Sequence, residues 1–282
     1  MFKLFVEFAK EGKIDLGATN NDGWNIFHHA VRYGSTDLVN LLLSEKFDGI
    51  KIDLISNDGG NALHFAACYN RIDKFEAIYN HFEGNENIEH NLDSMTWTDN
   101  NLSPIHCACL YGSIDMVKLL IKLKTEKICG THIGNEFVAT LPEIGFDTPA
   151  PNYGNTPFLC AAAYGSKEVV EFLLKLKPDI IKNLNYNALQ LSAGNKDLEV
   201  FSFMQKTGLF DLKETNASGQ NVIHMALRDN HLDIVKRLFK VDGCKELFLA
   251  PDNSGRTPLQ YVIIFRRQEI LELLFQEVTK EV

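Results

Sequence analysis

One block of about nineteen residues recurs seven times in this chain without an internal gap. Its first copy reads NIFHHAVRYGSTDLVNLLL, its third SPIHCACLYGSIDMVKLLI and its last TPLQYVIIFRRQEILELLF. The copies begin at Asn25, Asn61, Ser103, Thr156, Asn187, Asn221 and Thr257, so successive offsets are 36, 42, 53, 31, 34 and 36. A unit this short cannot bury an apolar face alone. It becomes stable by stacking on its copies, which excludes a globule built round one core.

The columns of the block carry their own physics. Every first residue is Asn, Ser or Thr, side chains that accept from the free N–H groups of a helix start. Pro104, Pro157 and Pro258 follow at the first helical position, where the missing N–H costs nothing. Gly34, Gly112 and Gly165 lie nine residues past the cap and end the first helix; the other copies carry Asn70, Lys196, Asn230 and Arg266 there. Three residues later an acid stands in all seven copies: Asp37, Asp73, Asp115, Glu168, Glu199, Asp233 and Glu269. It falls in the first turn of a second helix, where a carboxylate offsets the helix dipole. At about 100° per residue, Phe27, Ala30 and Val31 share one face, as do Leu63, Ala66 and Ala67. Small residues there let neighbouring helices approach closely.

These columns resemble the ankyrin repeat, with its Asp-x-x-Gly-x-Thr-Pro-Leu-His-x-Ala-Ala pattern. Gly255 with Thr257, Pro258 and Leu259, and Ser103 through His106, match it best. The resemblance covers roughly residues 20–275 and implies an all-α solenoid of helix-turn-helix repeats with short β-hairpin loops. Repeats are expected to start near residues 20, 56, 98, 151, 182, 216 and 252, all in one domain. Residues 1–19 are expected to form an N-terminal capping helix and 268–282 a C-terminal cap. Hairpins are expected around Asn20–Trp24, Ser56–Gly60, Asn152–Asn155, Asn216–Gln220 and Asp252–Arg256, rich in residues that suit turns. The pattern also drifts. Leu159, Gln190 and Gln260 replace the family histidine, and Ala77 and Tyr79 weaken the second helix of repeat two.

Against a period of about 33, the two long offsets mark insertions near 80–97 and 122–151. The second holds Pro142, Pro149 and Pro151 and shows no helical periodicity. It reads either as a binding loop, for which Phe137 and Phe146 speak, or as a tolerated surface insertion.

The histidines at one repeated position, His28, His64, His106 and His224, read as structural, because a catalytic residue need occur only once. Cys107 and Cys109 point about 200° apart on a helix and do not share a metal; no metal or cofactor is expected. An alternative reading is an enzyme with a cryptic site in the 122–151 insertion, built on Cys129 and His132. No phosphate-cradling glycine pattern or metalloprotease helix accompanies it. With 37 Asp+Glu against 28 Lys+Arg the chain carries −9, which disfavours nucleic acid and anionic membranes as partners. Six cysteines without a secreted spacing pattern indicate reduced thiols in a cytoplasmic protein.

The ninth column is the most informative for function. It holds Tyr33, Tyr69, Tyr111 and Tyr164 in repeats one to four, then Asn195, Asp229 and Phe265. The helical angle turns it away from the Ala-rich face, and the resemblance places it, beside Arg32, on the concave side of the stack. Trp24, at a hairpin, is a further anchor. Tyr261 through Phe265 with Arg266 and Arg267 read as a terminal cap or an apolar–basic patch. The expected function is non-enzymatic: binding of a partner protein or peptide by Trp24, Arg32, Tyr33, Tyr69, Tyr111, Tyr164 and Phe265, with the chain as a monomer. The Asn-, Lys-, Phe- and Ile-rich usage and drifting repeats resemble proteins that intracellular bacteria deliver to the host cytosol, where this chain is then expected to act as an effector.

Overall fold

The computed structural model describes residues 7–8, 11–44, 51–52, 54–82, 102–129, 156–181, 187–195, 197–241 and 243–279. The chain divides into two compact units, Met1–Pro157 and Phe158–Val282. Unit 1 carries three helix pairs: α1 (Ile26–Tyr33) with α2 (Thr36–Ser44), α3 (Ala62–Cys68) with α4 (Ile72–His81), and α5 (Pro104–Leu110) with α6 (Ile114–Cys129). Unit 2 opens on α7 (Pro157–Tyr164) with α8 (Lys167–Leu176). It continues with α9 (Ala188–Ser192) and α10 (Leu198–Thr207), α11 (Val222–Arg228) and α12 (Leu232–Phe239), and α13 (Pro258–Ile264) and α14 (Gln268–Thr279). Within each unit like helices neighbour like. In unit 1, α1, α3 and α5 run side by side over a row of α2, α4 and α6; in unit 2, α9, α11 and α13 do so over α8, α10, α12 and α14.

The columns explain the pairs. Asn25, Asn61, Ser103, Asn187, Asn221 and Thr257 are N-caps. The seven column acids all stand in the first turn of their second helices. The small column is fully enclosed: Ala66, Ala67, Ala108, Ala161, Ala162 and Ala226 have no exposed surface. Repeat two, despite Ala77 and Tyr79, forms a ten-residue second helix, because Phe75 and Ile78 bury its inner face.

The histidines close capping boxes. His64 Nδ1 accepts the Asn61 N–H, and its Nε2–H donates to the Leu102 carbonyl of the next repeat at 2.9 Å. His224 repeats this with Asn221 and the Arg256 carbonyl. Gln260 closes the same box in repeat seven. Each such side chain therefore starts a helix, and those of His64 and His224 also tie their repeat to its successor. Burial pushes the His28 and His224 pKa below the ordinary histidine value, against nearby carbonyls that raise it. A base depressed in the fold binds its proton more readily when unfolded. Stability is thus complete above the unfolded value and falls as pH drops through about 6.5. The melting temperature is expected to decline between about pH 7 and pH 5, before the carboxylates titrate. His28→Gln with His224→Gln, copying Gln260, should make that decline shallower in a pH series of thermal melts; an unchanged slope would remove the histidines from it.

The expected hairpins are present as tight turns. Residues 20–24, 56–60, 216–220 and 252–256 each close with a pair of backbone bonds, as in Ser56 N–H to Gly60 O and Gly59 N–H to Ser56 O. They are too short for strands, and no described residue lies in one. Neighbouring turns are bonded to each other: Asn57 N–H to Asp22 O at 2.8 Å in unit 1, Asn253 N–H to Ser218 O at 3.0 Å in unit 2. This contact needs glycine. Gly23 and Gly219 adopt φ of 76° and 75°, and a Cβ on either would lie 2.8 or 2.7 Å from the next turn's backbone nitrogen. Lys74 adds a second tie between repeats. Its buried ammonium donates to the carbonyls of Ala30, Val31 and Gly34 at the C-terminal end of α1, where the Ala30 carbonyl also accepts the Gly34 N–H. In unit 2, Asn195 Nδ2 does the same for Ala162 and Gly165.

Two expectations need correction or fall outside. Residues 122–129 continue α6 as helix instead of opening a loop, with Thr125 buried and bonded to the Ile121 carbonyl. The remainder of the 122–151 segment, His132 included, lies outside the described residues, as do residues 83–97 of the first insertion and the turn at 152–155. So do residues 1–6 and 9–10 of the expected N-terminal capping helix, of which residues 7–8 are helical and 11–19 run as turns and irregular chain.

Candidate interaction surface

The ninth-column side chains of unit 1 form one contiguous group at the C-terminal ends of α1, α3 and α5. Tyr33 and Tyr111 are 67% and 58% exposed, with Tyr69 half-buried between them. In α1 the reason is angular: Phe27, Ala30 and Val31 take the packed side, which leaves Tyr33 on the other. Tyr33 stacks on the His29 ring at 6.2 Å and Tyr69 on Phe65 at 6.4 Å. Tyr69 and Tyr111 both lie within reach of the charge of Arg32. Burial raises the pKa of Tyr69 and Tyr111, and Arg32 opposes the rise in both. Tyr69 and Tyr111 therefore stay neutral hydroxyls, and among the described residues the hydroxyls of Tyr33, Tyr69 and Tyr111 have no hydrogen-bond partner.

Arg32 sits among these rings. Its guanidinium carbon lies 4.3 Å from the Tyr69 centroid, 4.8 Å from Tyr33 and 5.1 Å from Trp24. Trp24 itself takes a different part from the one its hairpin position predicts. Only 9% exposed, it packs edge-on against Phe65 at 4.5 Å and against His29 at 5.4 Å. The turn folds it under the next repeat, so Trp24 supports Arg32 and presents little surface. Sequence reasoning also passed over Phe65 and Lys74, which hold this group from beneath. The Phe65 ring packs so near Gly60 that a Cβ there would be 3.1 Å away.

In unit 2 the column changes character. Tyr164 is 70% exposed, near the charge of Arg228, which makes a two-point ion pair with Asp229. Asn195 is buried in its tie to α7. Phe265 is partly exposed and leans on Tyr261 at 5.6 Å, with Arg267 over its ring at 5.8 Å. A hollow lined by Gln205, Lys206, Arg237, Lys240 and Val241 gathers three cations. They stand at the C-terminal ends of α10 and α12, where positive charge offsets the dipole.

Among the described residues no three His, Cys, Asp or Glu side chains are placed to hold a metal. Cys68, Cys107, Cys109, Cys160 and Cys244 are buried and form no disulfide with one another. No described helix is long and apolar enough to cross a membrane.

A family model for ankyrin repeats, three copies to the model, matches residues 1–91, 49–132, 85–185 and 189–282. The chain belongs to the ankyrin-repeat family. Its resemblance to characterised members of that family is distant. It is 24% identical over 197 residues to the NF-kappa-B inhibitor cactus of Drosophila yakuba and 25% over 199 to that of Drosophila melanogaster, 64% of this ankyrin chain in each case. It is 24% identical over 261 residues, 75% of its length, to the ankyrin repeat protein nuc-2 of Neurospora crassa. These matches span 39% of each cactus protein and 24% of nuc-2. Ankyrin repeats are protein-interaction modules, typically non-enzymatic.

Proposed function

We propose that this ankyrin chain binds a partner protein or peptide without catalysis, and that its contact surface is the Tyr33–Tyr69–Tyr111 group with Arg32. The observation that supports this reading is the exposure of those rings at one edge of unit 1, held by a rigid floor of Trp24, Phe65 and Lys74. Tyrosine and arginine are the side chains that most often dominate binding energy at interfaces. Positions fixed beforehand lose little entropy on contact. Tyr164 and Phe265 are secondary contacts on unit 2. The name of cactus, an inhibitor of NF-kappa-B, is in keeping with a protein target. The alternative of an enzyme at Cys129 and His132 falls on a segment of which His132 lies outside the described residues.

The test is a hydrogen-exchange footprint of the full chain with a partner captured from a eukaryotic lysate and identified. Protection at the ends of α1, α3 and α5, over residues 29–35, 65–71 and 107–113, is the expected result. Protection confined to α2, α4 and α6 would contradict the surface chosen.

A further inference from the structure

Arg32 raises a question that the tyrosine surface alone does not answer. Three aromatic rings lie within 5.1 Å of its guanidinium carbon, yet its side chain has no hydrogen bond and no ion pair among the described residues. The rings cover its faces with attractive π density and leave its planar N–H fork without an acceptor. The acid on the neighbouring turn, Asp58, is engaged instead by the Ser56 hydroxyl. In a chain with nine more acids than bases, a half-buried cation that has no anion is an uncommon arrangement. A loose surface arginine would lose several rotors on binding. This one is already stacked in place, and the stacking leaves its charge unneutralised.

The geometry points to Arg32 as the receptor for a carboxylate, carried by an Asp or Glu side chain of a peptide whose neighbouring apolar residue lies on Tyr69 and Tyr111. This rests on the tyrosine surface of the preceding subsection and names the chemistry it selects. A guanidinium takes a carboxylate through two parallel N–H···O bonds, and the surrounding rings strengthen that pair by excluding water. Tyr33, Tyr69 and Tyr111 then supply contact area and neutral hydroxyl donors round the rim. The competing occupant is a partner's own cation, a lysine, arginine or methylated lysine, which would have to displace Arg32 from its rings. The resident guanidinium repels such a group.

The probe is a displayed library of random short peptides, selected on the immobilised full chain and re-tested on purified variants. Peptides enriched on the wild type should carry Asp or Glu beside an aromatic or large aliphatic residue. Their affinity should fall about tenfold or more with Arg32→Gln, fall less with Arg32→Lys, and weaken with added salt in the wild type and Arg32→Lys but not in Arg32→Gln. Thermal melts of both variants separate lost contact from lost folding. Enriched peptides without an acid overturn the carboxylate assignment. So do peptides that bind Arg32→Gln as tightly as wild type; if those same peptides are lost on Tyr69→Ala or Tyr111→Ala, the tyrosine surface stands and only the role of Arg32 fails. Selection of lysine-rich peptides that gain affinity on Arg32→Gln would show a cation cage instead, and absence of any enrichment also overturns the inference.

Discussion

Phe65→Ala is expected to destabilise unit 1 by about 3–5 kcal/mol, the range for deleting a fully enclosed phenylalanine. The ring has no exposed surface and contacts Trp24 edge-on at 4.5 Å, His28 edge-on at 5.1 Å and Tyr69 in a stack at 6.4 Å. Such pairs contribute beyond the area they bury. The site also collapses poorly. Gly60 on one side has no side chain to move in, and the Trp24 turn is fixed by its bonds to Asn20 and by the Asn57–Asp22 link. In urea titrations followed by circular dichroism the midpoint should drop, and the melting temperature should fall by on the order of 10 °C. Phe65→Leu, which refills most of the volume, should recover more than half of the loss. A Phe65→Ala midpoint within about 0.5 kcal/mol of wild type would mean that the repeat interface is not held by this cluster.

Much of the architecture was open to reading because each column does one job seven times. The Asn, Ser and Thr caps, the histidine boxes and the first-turn acids repeat, so drift in one copy is corrected by the others, as Gln260 shows in the place of His. The outward direction of Tyr33 and Tyr111 followed from helical angle alone. What escaped is what occurs once. Trp24 looked exposed because its local neighbours, Gly23 and Asn25, belong to a turn; its cover is Phe65, supplied by the following repeat. The ring box on Arg32 draws on Trp24, Tyr33 and Tyr69, three positions that no periodic rule groups. Lys74 appeared as one more charged residue of a second helix, and only the carbonyls at the C-terminal end of α1 give it a role. The prolines at 142, 149 and 151 made the whole 122–151 segment read as loop, whereas residues 122–129 have good helix formers and no proline, and α6 runs on through them.

The second large effect concerns binding. Each exposed or half-buried phenol of the Tyr33–Tyr69–Tyr111 group offers a broad ring at the cost of few rotors, and interface rings of this kind are each worth about 1–2 kcal/mol or more. Removing three together should therefore weaken partner affinity by about a hundredfold or more, with each single variant costing less and Tyr69 the most, since it alone stacks on both Phe65 and Arg32. Tyr69 is also part of the packing, so the comparison is made at a temperature where melts show all variants folded. Tyr164→Ala, on unit 2, should have a smaller effect. Titration of the identified partner against the wild type and the folded Tyr33→Ala, Tyr69→Ala, Tyr111→Ala triple variant tests the account most directly. It predicts that affinity falls about a hundredfold while the helical signal stays intact; equal affinity for the two proteins would contradict it.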